Sequence, residues 1–111
     1  YEQYIINQMN LESGYLTNTL SQPPIYNPFS MGVPRIRRST RIDEYSNPNI
    51  DGGMPFSVYS DYASATEDFI YYLQYIRMPQ DLSCQEYNAY ITSKGYAADP
   101  NYEKKLNNMC R

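Results

Sequence analysis

Between Leu16 and Gly53 the chain carries Pro23, Pro24, Pro28, Pro34 and Pro48 and no sustained hydrophobic period, while helical patterns stand on both sides of the stretch. Proline removes a backbone donor and fixes φ, so neither a long helix nor a central strand runs through it. The 111 residues leave room for one domain of ordinary size. The chain is therefore expected to be a single domain, 1–111, in which a helical body carries an irregular lobe. Its first residue is Tyr1 rather than Met, and it is read as part of a longer chain.

Glu2 to Ser13 reads as a helix, with Ile5, Met9 and Glu12 on one face and Gly14 as its stop. Inside the irregular stretch, Ile42 to Tyr45 and Met54 to Tyr59 have strand character, and Asp51-Gly52-Gly53 between them has hairpin turn chemistry. Ser64-Ala65-Thr66-Glu67 is a capping-box pattern ahead of Phe69, Ile70, Leu73 and Ile76, which share one face. A second box, Ser83-Cys84-Gln85-Glu86, opens a helix bearing Tyr87, Tyr90 and Ile91 that Gly95 ends. Asp99-Pro100 has the order of an N-cap and first turn for a last helix through Tyr102 and Leu106 to about Met109. The fold class is α+β, mainly α.

The chemistry open to the chain is narrow. Without histidine, neither a Ser-His-Asp nor a Cys-His system exists, and two cysteines cannot fill a zinc shell, so no metal and no cofactor is expected. No Gly-rich phosphate loop occurs. A net charge of −3 gives no footprint for nucleic acid. The uncharged stretch Ser13 to Val33 is too broken by polar residues and proline to span a membrane. Fourteen tyrosines supply aromatic faces that carry hydroxyls, suited to wet polar ligands, although a base-composition bias produces the same excess.

Carboxylates remain. Glycoside hydrolysis needs a pair of them, because the leaving oxygen requires an acid and the opposite face a base or a charge stabiliser. Glu12 continues the apolar stripe of the first helix, where desolvation raises a carboxyl pKa and keeps the proton near neutral pH.

Leu11-Glu12-Ser13-Gly14-Tyr15, followed by Asn27-Pro28-Phe29-Ser30-Met31-Gly32, resembles the LESGW and NLFGI signature of the glucosaminidase domain, glycoside hydrolase family 73, of bacterial autolysins, flagellar peptidoglycan hydrolases and phage lytic proteins. Asp43-Glu44-Tyr45 is similar to the family's TEY motif and Phe56-Ser57-Val58-Tyr59 to its FRxY. Glu67 to Tyr72 resembles the helix with SxxDY, and Gly95 to Tyr102 is nearly identical to GYATDPNY. The resemblance implies a lysozyme-like fold with a small β-hairpin lobe and cleavage of the β-1,4 bond after N-acetylglucosamine in peptidoglycan glycan strands. It places the catalytic acid on Glu12 and the lobe carboxylate on Glu44, and substrate contacts on Tyr96, Tyr102, Asn27 and Phe29. It also implies work outside the cell, at the cell wall or in a virion, alongside other domains or subunits. The chain departs from the pattern at Tyr15 and Leu16, where Trp and Gly are usual, and at Ser30, which replaces a glycine; the family's preceding helical segment is missing. A non-catalytic wall-binding or virion structural module of the same fold is the rival reading.

Other readings stand beside these. Asn27 also suits an Asx-type turn, Tyr96 and Tyr102 also suit helix packing, and Asp51 suits a solvated turn. Arg35, Arg37, Arg38 and Arg41 form either a solvated loop or a contact for anionic wall polymers. Glu44 is expected on a mobile lobe that closes on substrate. Cys84 and Cys110 fall at the start of one helix and the end of the next, where antiparallel packing brings them together, as a bridge or as two free thiols.

Overall fold

The computed structural model describes residues 1–111. Four helices, α1 (Glu2–Ser13), α2 (Tyr62–Tyr75), α3 (Cys84–Ser93) and α4 (Tyr102–Asn107), form the body. Two strands, β1 (Asp43–Tyr45) and β2 (Phe56–Val58), form the lobe. The architecture is the expected one, mainly helical with a small antiparallel hairpin.

Helix α1 ends where Gly14 turns left-handed at φ 57° and its N–H bonds the Asn10 carbonyl. All three positions at which the sequence departs from the family pattern are left-handed, Tyr15 (φ 57°) and also Leu16 (φ 67°) and Ser30 (φ 53°), the two where glycine is usual. For a residue with a Cβ this conformation costs on the order of 1 kcal/mol, and the surrounding hydrogen bonds hold it: the Ser13 hydroxyl accepts the Leu16 N–H at 2.8 Å.

The strands pair Asp43 with Val58, Glu44 with Ser57 and Tyr45 with Phe56. Beyond β2 the chain at Met31 to Val33 adds a third edge, its Met31 carbonyl accepting the Ser57 N–H at 3.0 Å. β1 therefore pairs with β2 alone and forms the outer edge of the lobe. Asp51-Gly52-Gly53 is a short 3₁₀ turn inside the longer link from Ser46 to Pro55, not a two-residue hairpin turn.

Both strands are shorter than expected, at Asp43–Tyr45 and Phe56–Val58, and the boundaries of two helices differ as well. Helix α2 starts at Tyr62, capped by the Asp61 carboxylate on the Ser64 N–H at 2.7 Å, so the cap lies ahead of the expected Ser64 box. The charged carboxylate of Asp61 meets the helix dipole sooner than a serine hydroxyl does. Helix α4 starts at Tyr102, because Asp99 spends its carboxylate on the Asn101 N–H and the Lys105 ammonium, and it ends at Asn107 rather than near Met109. The Ser83–Glu86 capping box forms as expected.

The core gathers Phe29, Met31, Phe69, Leu73, Tyr87, Ile91, Tyr102 and Leu106, so every helix except α1 contributes a fully buried apolar side chain. Phe29 and Phe69 stack at 4.4 Å between centroids. Leu20, Ile25 and Phe56 form a smaller cluster under the lobe. Cys84 and Cys110 are joined in a disulfide with Cα atoms 5.9 Å apart, which fixes α3 and α4 antiparallel and decides between the two readings of the cysteines. The bridge closes a sequence separation of 26 residues. Replacing both cysteines by serine is expected to lower the unfolding free energy by about 3 kcal/mol on the chain-entropy model, measured by urea denaturation with and without reductant.

Candidate active site

Glu12 occupies the last turn of α1, one residue before Ser13 and two before the left-handed Gly14. Its carboxyl is pushed above the usual carboxylate value, first by burial; hydroxyl contacts from Tyr102 and Ser30 pull it partly back, and the negative charge of Asp51 raises it further. A raised carboxyl keeps its proton toward neutral pH, as a general acid must.

The group that orients Glu12 is built from three helices. Gln8, one turn earlier on α1 and wholly buried, accepts a hydrogen bond from the Tyr87 hydroxyl of α3 at 2.8 Å and donates to the Tyr102 hydroxyl of α4 at 3.1 Å. With its oxygen occupied by Gln8, Tyr102 has its proton free for the Glu12 carboxylate, and burial with the nearby Glu12 charge raises the Tyr102 pKa. The Ser13 hydroxyl donates back to the Met9 carbonyl, and Asn18 donates to the Glu12 carbonyl at 2.9 Å, tying the end of α1 to the chain that follows.

Beside Ser30 opens a cleft of about 310 Å³ whose walls include Met54 of the lobe, Tyr72 of α2 and Lys94, Gly95 and Tyr96 after α3. Gly32 lies on its floor, and a side chain there would meet the Met54 methyl at 2.9 Å. The wall at Arg37 is held by a buried ion pair. Arg37 donates to both oxygens of Asp68, at 2.7 and 3.1 Å, and Tyr59 donates to the same carboxylate. Burial pushes the Asp68 carboxyl up, but these hydrogen bonds and the guanidinium charge hold it below the usual range.

The residues expected as substrate contacts take different places. Tyr96 lines the cleft with its ring while its hydroxyl donates to the Phe29 carbonyl at 2.6 Å. Tyr102 is 3% exposed and turned to Glu12, so it acts beneath the cleft. Asn27 is wholly buried and bonds the Met31 N–H, the Met31 carbonyl and the Ser57 carbonyl, tying the turn before the cleft to β2. Phe29 is in the core. In this conformation Asn27, Phe29 and Tyr102 have no cleft surface to offer a sugar, because their polar and apolar capacity is used inside the fold. Tyr15 faces a separate groove with Asn10 and Asn108.

Glu44 is exposed on β1, opposite Ser57. The carboxylate whose charge reaches Glu12 is Asp51, on the lobe's 3₁₀ turn, read from sequence as a solvated turn residue. Sequence reasoning also missed Gln8, Met54, Tyr72 and the Arg37–Asp68 pair. A polar Gln8 one turn before Glu12 and an Asp68 beside Phe69 were the available signals, and both look like ordinary helix residues until the partners are known.

The glucosaminidase family model, described as mannosyl-glycoprotein endo-β-N-acetylglucosaminidase, matches residues 1–111. The chain belongs to that family and is a glycoside hydrolase. Among solved structures it is similar to the catalytic domain of the autolysin Auto from Listeria monocytogenes, at 20% identity and TM-score 0.64, over 98% of this chain and 70% of that one. It is also similar to a peptidoglycan hydrolase from Sphingomonas sp. A1, at 19% identity and TM-score 0.73, over 98% and 73%. A C-terminally truncated glycoside hydrolase domain of Salmonella typhimurium FlgJ gives 24% identity and TM-score 0.67, over 98% and 80%. The lysozyme-like fold is thereby shown. No curated protein sequence matches the chain.

The raised Glu12 pKa has a consequence for stability. A carboxyl whose folded pKa lies above its unfolded value binds its proton more tightly in the folded state, so its contribution is full below the ordinary 4.5 and is lost as pH rises through the folded value. Glu12→Gln, which mimics the protonated form, is expected to melt higher than the parent at pH 7. The gap should close below about pH 4, followed by calorimetry across that range.

Proposed function

We propose that this domain hydrolyses the β-1,4 bond after N-acetylglucosamine in peptidoglycan glycan strands, acting at the cell wall from outside the cytoplasm or from a virion. The observation that carries the reading is Glu12: a carboxyl raised by burial and faced by the hydroxyls of Tyr102 and Ser30, of which Ser30 lines an open cleft. Peptidoglycan as substrate draws support from the resemblance to a named autolysin and a named peptidoglycan hydrolase.

Glu12 gives its proton to the leaving glycosidic oxygen, which removes the need to expel an alkoxide. The second carboxylate comes from the lobe, with Glu44 in that role. Since Glu44 is exposed and β1 pairs with β2 alone, the lobe closes over the glycan to bring it to the sugar's opposite face. There it activates a water, and the product anomer is inverted. Attack by the substrate's own 2-acetamido group instead gives retention, with Glu44 stabilising the charge. The charge of Asp51 adds to burial in keeping the acid protonated.

Glu12→Gln is expected to lose about 10² to 10⁴ of the rate of reducing-end release from purified walls, because the amide has no proton to deliver. Near-parental release by a folded Glu12→Gln variant overturns the assignment. Glu44→Gln is expected to lose about 10²-fold or more, whereas Asp51→Asn keeps turnover and moves the basic limb of the pH profile downward, since the charge that raises Glu12 is gone. The opposite pattern hands the role of second carboxylate to Asp51. Product anomers followed by NMR separate the two mechanisms.

A further inference from the structure

The cleft does not end at Tyr72. Its wall of Pro34, Arg37 and Tyr72 is shared with a second groove of about 250 Å³ along the end of α2, to which Arg35, Ile36 and Tyr75 are added. Ile36 is 81% exposed and Tyr75 52%, so two large apolar side chains stand in water at the groove's edge. Of the cations on this path, Arg37 is taken by Asp68, while Arg35 and Lys94 make no ion pair. Lys94 lines the cleft with its ammonium 5.0 Å from the centre of the Tyr90 ring. No carboxylate lines either cavity.

An apolar groove with unpaired positive charge, continuous with a glycan cleft, fits an arm that branches from the glycan and carries both carboxylates and small apolar side chains. We propose that it is a subsite for the anionic peptide stem borne by peptidoglycan strands, with Arg35 and Lys94 meeting its carboxylates and Ile36 and Tyr75 its methyl groups. This inference rests on the peptidoglycan reading of the cleft. The stem is favoured over the bare lactyl carboxylate of the sugar, because a lactyl group ends within the cleft whereas the groove continues past Tyr72. Contacts between exposed charges are individually weak, so the subsite adds selectivity and leaves the chemistry to Glu12.

The test is an NMR titration of the domain with a free stem tetrapeptide and, separately, with N-acetylmuramic acid, alongside wall hydrolysis by the same samples. The peptide is expected to shift the amides of Arg35, Ile36, Tyr75 and Lys94 saturably. The Arg35→Met/Lys94→Met double variant should abolish those shifts and raise KM on stem-bearing strands about two- to tenfold with little change in kcat. The Arg35→Lys/Lys94→Arg variant should restore both. Hydrolysis without peptide-induced shifts at these residues, or shifts with muramic acid alone, overturns the subsite and leaves the activity standing. A folded domain that hydrolyses no wall material overturns the activity itself, whatever the peptide does.

Discussion

The site depends on one buried amide. Gln8 accepts from Tyr87 on α3 and donates to Tyr102 on α4, and so joins α1 to the two helices that the disulfide also clamps together. A buried amide left half-satisfied is costly, so the helices hold the one arrangement in which both ends of Gln8 are met. That arrangement holds the Tyr102 hydroxyl near Glu12, with its oxygen already accepting from Gln8. The acid is thus backed by the buried Gln8–Tyr87–Tyr102 group, while Ser30 on its other side lines the cleft.

A second buried group organises the opposite wall. Arg37 reaches from the irregular loop to Asp68 on α2, where Tyr59 at the end of the lobe joins it. The pair is shielded from water, with side-chain exposures of 7% and 0%. Such a pair contributes modestly to net stability but is strongly destabilising when one partner is removed, so its main effect is to fix where the loop runs. Of the four arginines in the basic run, this one is structural. Arg38 lies over the Tyr71 ring at 4.5 Å, and Arg35 is left at the groove edge. The loop is thus pinned at its middle and free at its flank, which gives the cleft a rigid wall and a charged exit.

Both bodies of the structure meet in the turn from Asn27 to Gly32. Asn27 ties that turn to β2, Phe29 packs it into the helical core, and Ser30 brings a hydroxyl to Glu12. The left-handed Ser30 is held by contacts on both sides, which is how a strained residue persists beside a functional group. β1, by contrast, has no neighbour beyond β2. The lobe's inner half is therefore anchored and its outer half, with Glu44, is the part with least to hold it.

How much of this was legible in the chain follows from the range of each interaction. Helix α1, the Ser83–Glu86 box and the two strand segments rest on local periods and caps, so they could be read directly; the start of α2 was missed because Asp61 and Ser64 are both competent caps and only the path of the chain after β2 chooses between them. Glu12 was legible because its place on an apolar stripe and its surrounding motif agree. The sequence by itself determined the helical body with its inserted lobe, the restriction to carboxylate chemistry and the candidate acid, since composition and short-range pattern decide these. Only the tertiary structure decided that Cys84 and Cys110 pair, that Gln8 holds the Tyr102 hydroxyl whose contact lowers the Glu12 pKa, that Asn27 and Phe29 are buried in the fold, and that the charge of Asp51 acts on the acid. Each of these joins residues far apart in the chain, and whether a polar side chain meets solvent or a buried partner is set by packing, which no local pattern records.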